Sequence, residues 1–405
     1  MLRVSLEQLE AGMVLARPIA MPAYPSRHIL PRDAEVPADA VPQLKRLGIE
    51  EVWVRCDRLE FLEQLICDDL ADAQKQLFSR VRSNFEQVMH RSTAELDLSG
   101  FQTSIADLFD LLERTTFGRA LIERVDATDD LLMCHSTNVC YVALLVGMKL
   151  RKYLADERSH LPACEARDLS RLGLGCLLHD VGKLRIPPEI LNKPGRLTRE
   201  EFEIMKRHPS LGVEMLEGQA DADTTDVVLN HHQRWDGRGY PELRDERTGE
   251  RLPGMRGREI SIFSRIATIA DIYDAATSKR CYSDAKPAVQ VLHELRTWCR
   301  GAFDPVVEQA FYEVIPPFSI GSIVKLSNGI EAVVVDFDPR RPVTPTVQCL
   351  RSPKGERFRD PGSEEIDLAS YQGIDIVEIN GVDVRRFLEL QRSNPLCELD
   401  PAVRT

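Results

Sequence analysis

The segment Cys176–Pro187 of this 405-residue chain reads CLLHDVGKLRIP, in which an apolar run is followed directly by a His-Asp pair. Its apolar start predicts the end of a buried helix, which delivers the His179 imidazole and the Asp180 carboxylate to one point. Gly182 is expected to end that helix, and Lys183 follows it. An adjacent His-Asp pair is typical of either a capping pair or a metal site, so the rest of the chain must distinguish the two.

Further histidines and a buried acid favour the metal site. Six of the nine histidines lie between residues 135 and 232, and five of these six are candidate ligands: His135, His179, His208, His231 and His232. His231 and His232 end an apolar helix before the loop QRWDGRGYP, and adjacent helical residues point about 100° apart. Both can reach one cavity if they bracket it or if the helix ends there, as Gly237 and Gly239 indicate. Asp271 lies in the apolar helix RIATIADIYDAATS, where a carboxylate is costly unless it is paired or metal-bound. Taken singly, each histidine could be an ordinary interior or surface residue, and Asp271 an N-cap or an ion pair.

The middle of the chain, residues 126–316, is predicted to be all-helical. Its apolar periodicity predicts helices from Leu131 to Leu150, Leu169 to Leu178, Glu200 to Leu216 and Ile262 to Ser278. Residues 57–125 are predicted to be a helical connector. Its main element is a long amphipathic helix from Phe61 to Met89, whose apolar stripe favours core or helix-pairing surface over signal transmission.

Smaller modules are predicted at both ends. Residues 1–56 combine short strands with one helix stopped by Gly48, which indicates a small α/β module. Residues 317–405 are predicted to be β-rich, because Asn328-Gly329 is a hairpin-turn dipeptide between two apolar runs. Ile374 to Ile379 is a further candidate strand, and the tail after about Ser393 is expected to be disordered.

Composition limits the classes of partner. Hydrophobic residues make up 43% and charged residues 29% of the chain, as in soluble globular proteins. The 64 acidic residues outnumber 52 basic ones, and this net charge of −12 opposes binding to a polynucleotide or to an anionic membrane. Ten cysteines without a Cys-x-x-Cys pair indicate reduced thiols. The N-terminus lacks a signal-peptide pattern, and the apolar run from Val139 to Met148 is too short to span a bilayer, so we expect a cytoplasmic protein.

Over residues 126 to 315, the chain strongly resembles the HD-GYP family, a bacterial branch of the HD phosphohydrolases. The runs that carry the resemblance are HS at 135, HDVGKLRIP at 179, LNKPGRLTREE at 191, HP at 208, HHQRWDGRGYP at 231 and SRIATIADIYDAATSKRCY at 264. The resemblance implies a mainly α fold with an all-helical HD-type metal-dependent phosphohydrolase domain. It also implies hydrolysis of cyclic di-GMP to linear pGpG, and in some members on to GMP.

The same resemblance implies a site with two divalent metal ions, iron or manganese. Its metal ligands would be His135, His179, Asp180 and Asp271, shared across HD enzymes, with the additional ligands His208, His231 and His232. Asp180 would bridge two cations that activate a water for in-line attack. Lys183 would neutralise the phosphate or the leaving oxygen, or be a solvated loop lysine. Substrate contacts would come from Arg280, Asp274 and Tyr240, whose alternatives are a helix C-cap, a surface carboxylate and a loop-packing aromatic.

Three departures from the family pattern modify these expectations. Leu131 stands where some members carry a glutamate that helps to hold a third metal, so a binuclear site is predicted. Gln233 replaces the acid of the usual HHE run, which is expected to loosen the orientation of neighbouring ligands. Ser283 replaces a second basic residue, which removes one expected phosphate contact.

Other functions stay open at the level of sequence. One alternative is a catalytically weak module that binds cyclic di-GMP and signals through the N-terminal region or a partner protein. A homodimer or a signalling protein partner is expected as a possible assembly. Another is an HD phosphohydrolase that acts on a different nucleotide. Retention of all seven ligand candidates favours the enzyme over the pure sensor.

Overall fold

The computed structural model describes residues 2–6, 9–21, 24–47, 49, 51–55, 68–90, 96–115, 131–242, 248, 250, 252, 254–278, 286–355, 365–371 and 373–388. The helices of this part are α1 (Ala40–Arg46), α2 (Asp68–His90), α3 (Leu98–Arg114), α4 (Leu131–Lys149), α5 (Arg151–Glu157), α6 (Ala163–Ala166), α7 (Ser170–Leu178), α8 (Pro188–Leu191), α9 (Arg199–Met205), α10 (His208–Met215), α11 (Ala222–Asn230), α12 (Ile262–Thr277), α13 (Ala288–Trp298) and α14 (Pro305–Val314). The strands are β1 (Leu2–Ser5), β2 (Ile19–Met21), β3 (Tyr24–Leu30), β4 (Glu51–Val54), β5 (Ile323–Leu326), β6 (Glu331–Asp336), β7 (Thr346–Arg351), β8 (Glu365–Asp367), β9 (Ile376–Ile379) and β10 (Val382–Asp383). Short 3₁₀ turns span Val181–Arg185 and Gly257–Glu259.

The predicted helical domain is confirmed, and α4 is its central element. This helix packs against α7, α12 and α14, and its residues from Met133 to Gly147 are all buried. Among the described residues, α4 alone is long and apolar enough to cross a membrane, but 83% of its apolar window is buried inside the protein. A helix enclosed on all sides needs no polar face, which is why its sequence lacks amphipathic periodicity.

The predicted helix from Glu200 to Leu216 is wrong, because the chain forms two helices there. α9 ends at Met205 and α10 begins at His208, with Pro209 in its first turn. Proline has no amide hydrogen and its ring clashes with the preceding turn, so one continuous helix cannot pass through this position. The break makes His208 the first residue of α10.

The predicted role of Gly182 as a helix stop is also wrong. α7 ends at Leu178, and Gly182 lies inside the 3₁₀ turn Val181–Arg185. A Cβ at Gly182 would lie 1.9 Å from the His208 carbonyl oxygen and 2.5 Å from the Gly212 nitrogen. Glycine is therefore required here because the backbones of the turn and of α10 are in close contact.

The connector contains the predicted amphipathic helix, with its described part beginning at Asp68. α2 packs against α3 and α4, and Leu77, Val81 and Phe85 of its apolar stripe are fully buried. The stripe therefore belongs to the hydrophobic core. Residues 61–67 of the predicted helix lie outside the described residues.

The C-terminal module is β-rich, as predicted. Its antiparallel sheet has the strand order β10-β9-β5-β6-β7-β8. The turn between β5 and β6 contains Asn328-Gly329, where Gly329 supplies the positive φ of 84°. The candidate strand from Ile374 corresponds to β9, and the tail after Ser393 lies outside the described residues.

The N-terminal module contains the predicted strands and helix, while Gly48 lies outside the described residues. Its β1 and β4 form an antiparallel pair, and its core continues into the C-terminal module through Ile323 of β5. Trp53 lies so close to Gly321 that an added Cβ would be 2.7 Å from its ring. The side-chain amide of Asn380 donates to Glu51 over 2.7 Å. The N-terminal and C-terminal modules are therefore packed together.

Candidate metal centre

Helix ends and two helix interiors bring the predicted ligands to one place. His135 lies in α4 and Asp271 in α12, while His179 and His231 directly follow the last residues of α7 and α11. His208 begins α10. The buried members of this cluster are His135, His179, Asp180, His208, His231 and Asp271, and His232 is half-buried.

Backbone carbonyls orient three of the imidazoles. The Nδ1 atoms of His179, His208 and His231 lie 2.7, 2.8 and 2.9 Å from the carbonyl oxygens of the residues three positions earlier. A carbonyl only accepts, so each Nδ1 must donate and each Nε2 of the neutral ring keeps its lone pair. A lone pair directed by such a bond is the usual arrangement of a metal-binding histidine.

The Asp180 carboxylate lies between two sets of imidazoles. Its Oδ1 atom is 3.2 Å from His208 Nε2 and 3.9 Å from His231 Nε2. Its Oδ2 atom is 3.3 Å from His179 Nε2, 3.6 Å from His135 Nε2 and 2.5 Å from Lys183 Nζ. The two oxygens of Asp180 therefore face different groups of imidazoles: Oδ1 faces His208 and His231, and Oδ2 faces His179 and His135.

A second carboxylate lies across the cluster. Asp271 Oδ1 is 2.9 Å from His135 Nε2 and 3.9 Å from His179 Nε2, while its Oδ2 is 3.5 Å from His232 Nδ1. Asp274, one turn further along α12, is fully buried and its Oδ2 lies 2.7 Å from His135 Nδ1. Asp274 therefore orients His135 from behind, and its role in lining the substrate pocket stays a prediction.

The residues present fit divalent metal ions. His179 Nε2 and Asp180 Oδ1 are buried without a hydrogen-bond partner, and the Nε2 atoms of His208 and His231 lie 3.2 Å apart. Buried lone pairs that converge in this way are costly unless a cation lies between them. Two groups of ligand atoms could each hold an ion, with Asp180 in both: Asp180, His208, His231 and His232, and His135, His179 and Asp180.

The electrostatics of the cluster favour ionised Asp180 and Asp271 carboxylates and neutral imidazoles at His231 and His232. Burial opposes ionisation of Asp180, but nearby His179 and Lys183 outweigh it and lower its pKa well below the usual range. Burial and the neighbouring imidazoles lower the pKa of His231, and burial lowers that of His232 to about 3. His135 differs, because hydrogen bonds to Asp271 and Asp274 overcome its burial and raise its pKa to about 9.

The loop after His232 forms one side of the site. The Tyr240 ring stacks on the His232 ring, with centroids 4.5 Å apart. Gln233 is buried and its side-chain amide donates to the Pro241 carbonyl over 2.9 Å. A carboxylate at position 233 could not donate this bond, so the glutamine fastens the loop to the ligand-bearing helix end.

The structure brings together all seven predicted ligands, with Lys183 and Tyr240 beside them. Arg280 and Ser283 lie outside the described residues, and Leu131 begins α4 without a ligand atom to offer. Sequence reasoning missed the support that Asp274 gives to His135. The three-residue spacing from Asp271 places both acids on one face of α12 and could have indicated it.

Comparisons with known proteins agree with this geometry. Residues 149–307 match the HD domain family, and residues 323–381 match the family described as a KOW domain associated with HD domain. The cyclic di-GMP phosphodiesterase PA4108 of Pseudomonas aeruginosa is 34% identical over 235 residues, covering 58% of this chain and 51% of the relative. A cyclic di-GMP phosphodiesterase of Thermotoga maritima is 39% identical over 140 residues, which are 34% of this chain and 35% of the relative.

A third relative aligns over a larger share of its own length than the Pseudomonas and Thermotoga proteins do. The cyclic di-GMP phosphodiesterase response regulator RpfG of Xanthomonas campestris pv. campestris is 28% identical over 281 residues, covering 68% of this chain and 67% of the relative. The chain spans about half of the Pseudomonas relative and about a third of the Thermotoga relative. The chain therefore contains an HD domain, and the matched residues 149–307 include His179, Asp180, His208, His231, His232 and Asp271 of the cluster and the Gly239-Tyr240-Pro241 loop.

Proposed function

We propose that this chain is a metal-dependent phosphodiesterase that hydrolyses cyclic di-GMP to linear pGpG. The observation that supports this most directly is the position of Asp180, whose two oxygens face separate groups of imidazoles. Such a carboxylate suits a site for two cations. The names of the similar proteins from Pseudomonas, Thermotoga and Xanthomonas support cyclic di-GMP as the substrate.

The ligand types are compatible with iron or manganese, the metals that the family resemblance implies. Imidazole and carboxylate donors suit iron, manganese and zinc, and the described cluster contains no thiolate of the kind found in structural zinc sites. His135, His179 and Asp180 would hold one ion, and Asp180 with His208, His231 and His232 the other. Asp271, which contacts both sides, would complete the set. When bound, two such cations supply Lewis acidity to a phosphodiester and to the attacking water.

The protein's own residues would orient and neutralise the substrate. Lys183 Nζ lies 2.5 Å from Asp180 and is less than one-fifth exposed, so its charge is held at the edge of the cluster. There it would offset the charge that develops on the phosphate oxygens during cleavage. The Tyr240 ring, stacked on His232, would limit how the nucleotide enters.

Substrate competition tests this proposal. Protein prepared without oxygen and supplied with Fe²⁺ or Mn²⁺ is expected to convert cyclic di-GMP to pGpG. Chromatography measures the amount of each nucleotide over time. Cyclic di-AMP and nucleoside triphosphates at equal concentration should be cleaved more slowly. Faster cleavage of a nucleoside triphosphate would favour an HD phosphohydrolase of ordinary nucleotides, and tight binding without cleavage would favour the sensor.

A further inference from the structure

A row of aromatic rings runs from the metal centre to the surface. His232 stacks on Tyr240, and the Tyr240 ring meets the Phe202 ring edge to face with centroids 6.5 Å apart. Phe202 lies on α9 and is 44% exposed, one of the few large apolar side chains of the described residues that are left open to solvent. Through the Tyr240 ring, Phe202 is connected to the candidate metal centre.

A positive charge accompanies the exposed ring. Lys206 Nζ lies 5.2 Å from the centroid of Phe202 and 2.6 Å from Glu203 Oε1. The ring offers stacking to a flat base, and a phosphate near Lys206 would compete with Glu203 for the ammonium group. Stacking on an aromatic ring is a feature of surfaces that bind nucleotides.

The segment that presents Phe202 is held firmly. Thr198 and Glu201 form a reciprocal capping box at the start of α9, and Lys193 donates to Glu201 over 2.6 Å. A preorganised ring loses little entropy when a ligand stacks on it. Phe202 therefore suits a binding role better than a ring on an unsupported loop would.

We propose that Phe202 is the stacking platform for one purine base of a cyclic dinucleotide, with Lys206 beside it. This inference rests on the proposed function, because it places the phosphodiester at the metal centre and the base further out along the ring row. A cyclic dinucleotide carries two bases close to its two phosphates, so an aromatic surface next to the metal site is where a base would lie. Phe202 would thus contribute to affinity for the base.

The test compares ligands with and without a base on metal-loaded protein. The probes are a non-hydrolysable phosphorothioate analogue of cyclic di-GMP, GMP and ribose 5-phosphate, each titrated by calorimetry. Phe202→Ala should weaken the analogue and GMP by about 5- to 150-fold, the range that stacking of one base on an aromatic side chain represents. Ribose 5-phosphate, which has a phosphate but no base, should bind as before, and Phe202→Trp should restore the affinity for GMP.

Trp298→Ala is the matched control, because Trp298 is 75% exposed on α13 and is not part of the ring row. Analogue binding by Phe202→Ala within twofold of the unmodified protein would overturn the inference. Equal weakening of GMP and ribose 5-phosphate would also overturn it, since that indicates a structural role. Base-dependent binding through Phe202 without any metal-dependent cleavage would keep the platform and reject the proposed phosphodiesterase.

Discussion

Among single residues, Asp180 has the largest predicted effect, because each of its oxygens serves a different group of imidazoles. Asp180→Ala is expected to reduce bound metal to well below one ion per chain and to abolish turnover. The helical fold should remain, since the residues before Asp180 on α7 are packed by apolar contacts. Metal analysis and circular dichroism check both parts, and unchanged metal content in the variant would contradict a shared ligand.

Asp274 is expected to affect metal binding indirectly, because it orients the ligand His135 and is not itself a predicted metal ligand. Asp274→Asn keeps an oxygen near His135 Nδ1 but removes the charge that favours a donating imidazole there. We expect metal affinity to fall about 10- to 100-fold, as for other groups that orient a ligand. Competition with a chelator measures this, with Asp107→Asn on the exposed surface of α3 as the control. Equal affinities of the two variants would contradict the positioning role.

Lys183 separates metal binding from chemistry. Lys183→Met should keep the metal ions, because the lysine is a neighbour of Asp180 and not a ligand. The rate of hydrolysis should fall about 100-fold, the usual effect of removing one group that stabilises transition-state charge. Steady-state kinetics on the metal-saturated variant measure the loss of rate. An unchanged rate would make Lys183 a loop lysine that only pairs with Asp180.

For single residues, the sequence indicates which side chains are candidate metal ligands, but it does not indicate which groups hydrogen-bond to them. The seven ligand candidates could be chosen from motifs, and the structure gathers them into one cluster. The carbonyl oxygens that fix three imidazoles belong to Cys176, Met205 and Val228, whose side chains give no sign of that role. Support of this kind depends on where each helix ends, which periodicity predicts only to within a few residues.

Among the elements, the contact between the 3₁₀ turn and α10 makes the sharpest prediction. Gly182→Ala should destabilise the protein by about 1–3 kcal/mol, because its Cβ would overlap backbone atoms of His208 and Gly212 that cannot rotate away. His208 would move, and the ion that it helps to hold should be lost first. Thermal unfolding and metal content measure the two effects.

Gly147→Ala on α4 is the matched control for that experiment. Its Cβ would lie 2.9 Å from a methyl group of Leu169, a side-chain end that can move aside. We expect a smaller loss of stability and no loss of metal. Full metal content and unchanged stability in Gly182→Ala would show that the backbones are not held in this close contact.

The elements themselves were largely predictable, and the errors have a common cause. Helices α4, α7 and α12 follow their predicted spans to within one residue because each is strongly apolar. The helix from Glu200 was expected to continue to Leu216 because its apolar spacing continues, but the restriction imposed by Pro209 outweighs that periodicity. The resulting break is what places His208 at a helix start facing Asp180.

At the level of the whole molecule, the N-terminal module packs against the C-terminal module. Trp53 of the N-terminal module lies against Gly321, and Ile323 completes the N-terminal core. The sequence predicted each module separately but offered no signal for this contact, because the partners are more than 250 residues apart. Contacts of such long range depend on the three-dimensional arrangement and not on local pattern.

Trp53→Ala tests the interface between the modules. We expect a loss of about 2 kcal/mol in the free energy of unfolding, less than for a fully buried tryptophan because Trp53 is half-buried. Hydrogen exchange should quicken in β5 and β6, while metal content stays unchanged. Trp298→Ala, at an exposed site, should leave exchange in these strands unaltered. Unchanged exchange in Trp53→Ala would contradict the coupling.

The most direct test of the central claim measures metal and turnover in the same sample. Unmodified protein is prepared without oxygen, its iron or manganese is counted per chain, and cyclic di-GMP cleavage is followed as the metal is titrated. We predict about two ions per chain, with pGpG formation that rises with metal occupancy and stops when a chelator is added. Cyclic di-GMP that stays intact at full metal occupancy would contradict the account.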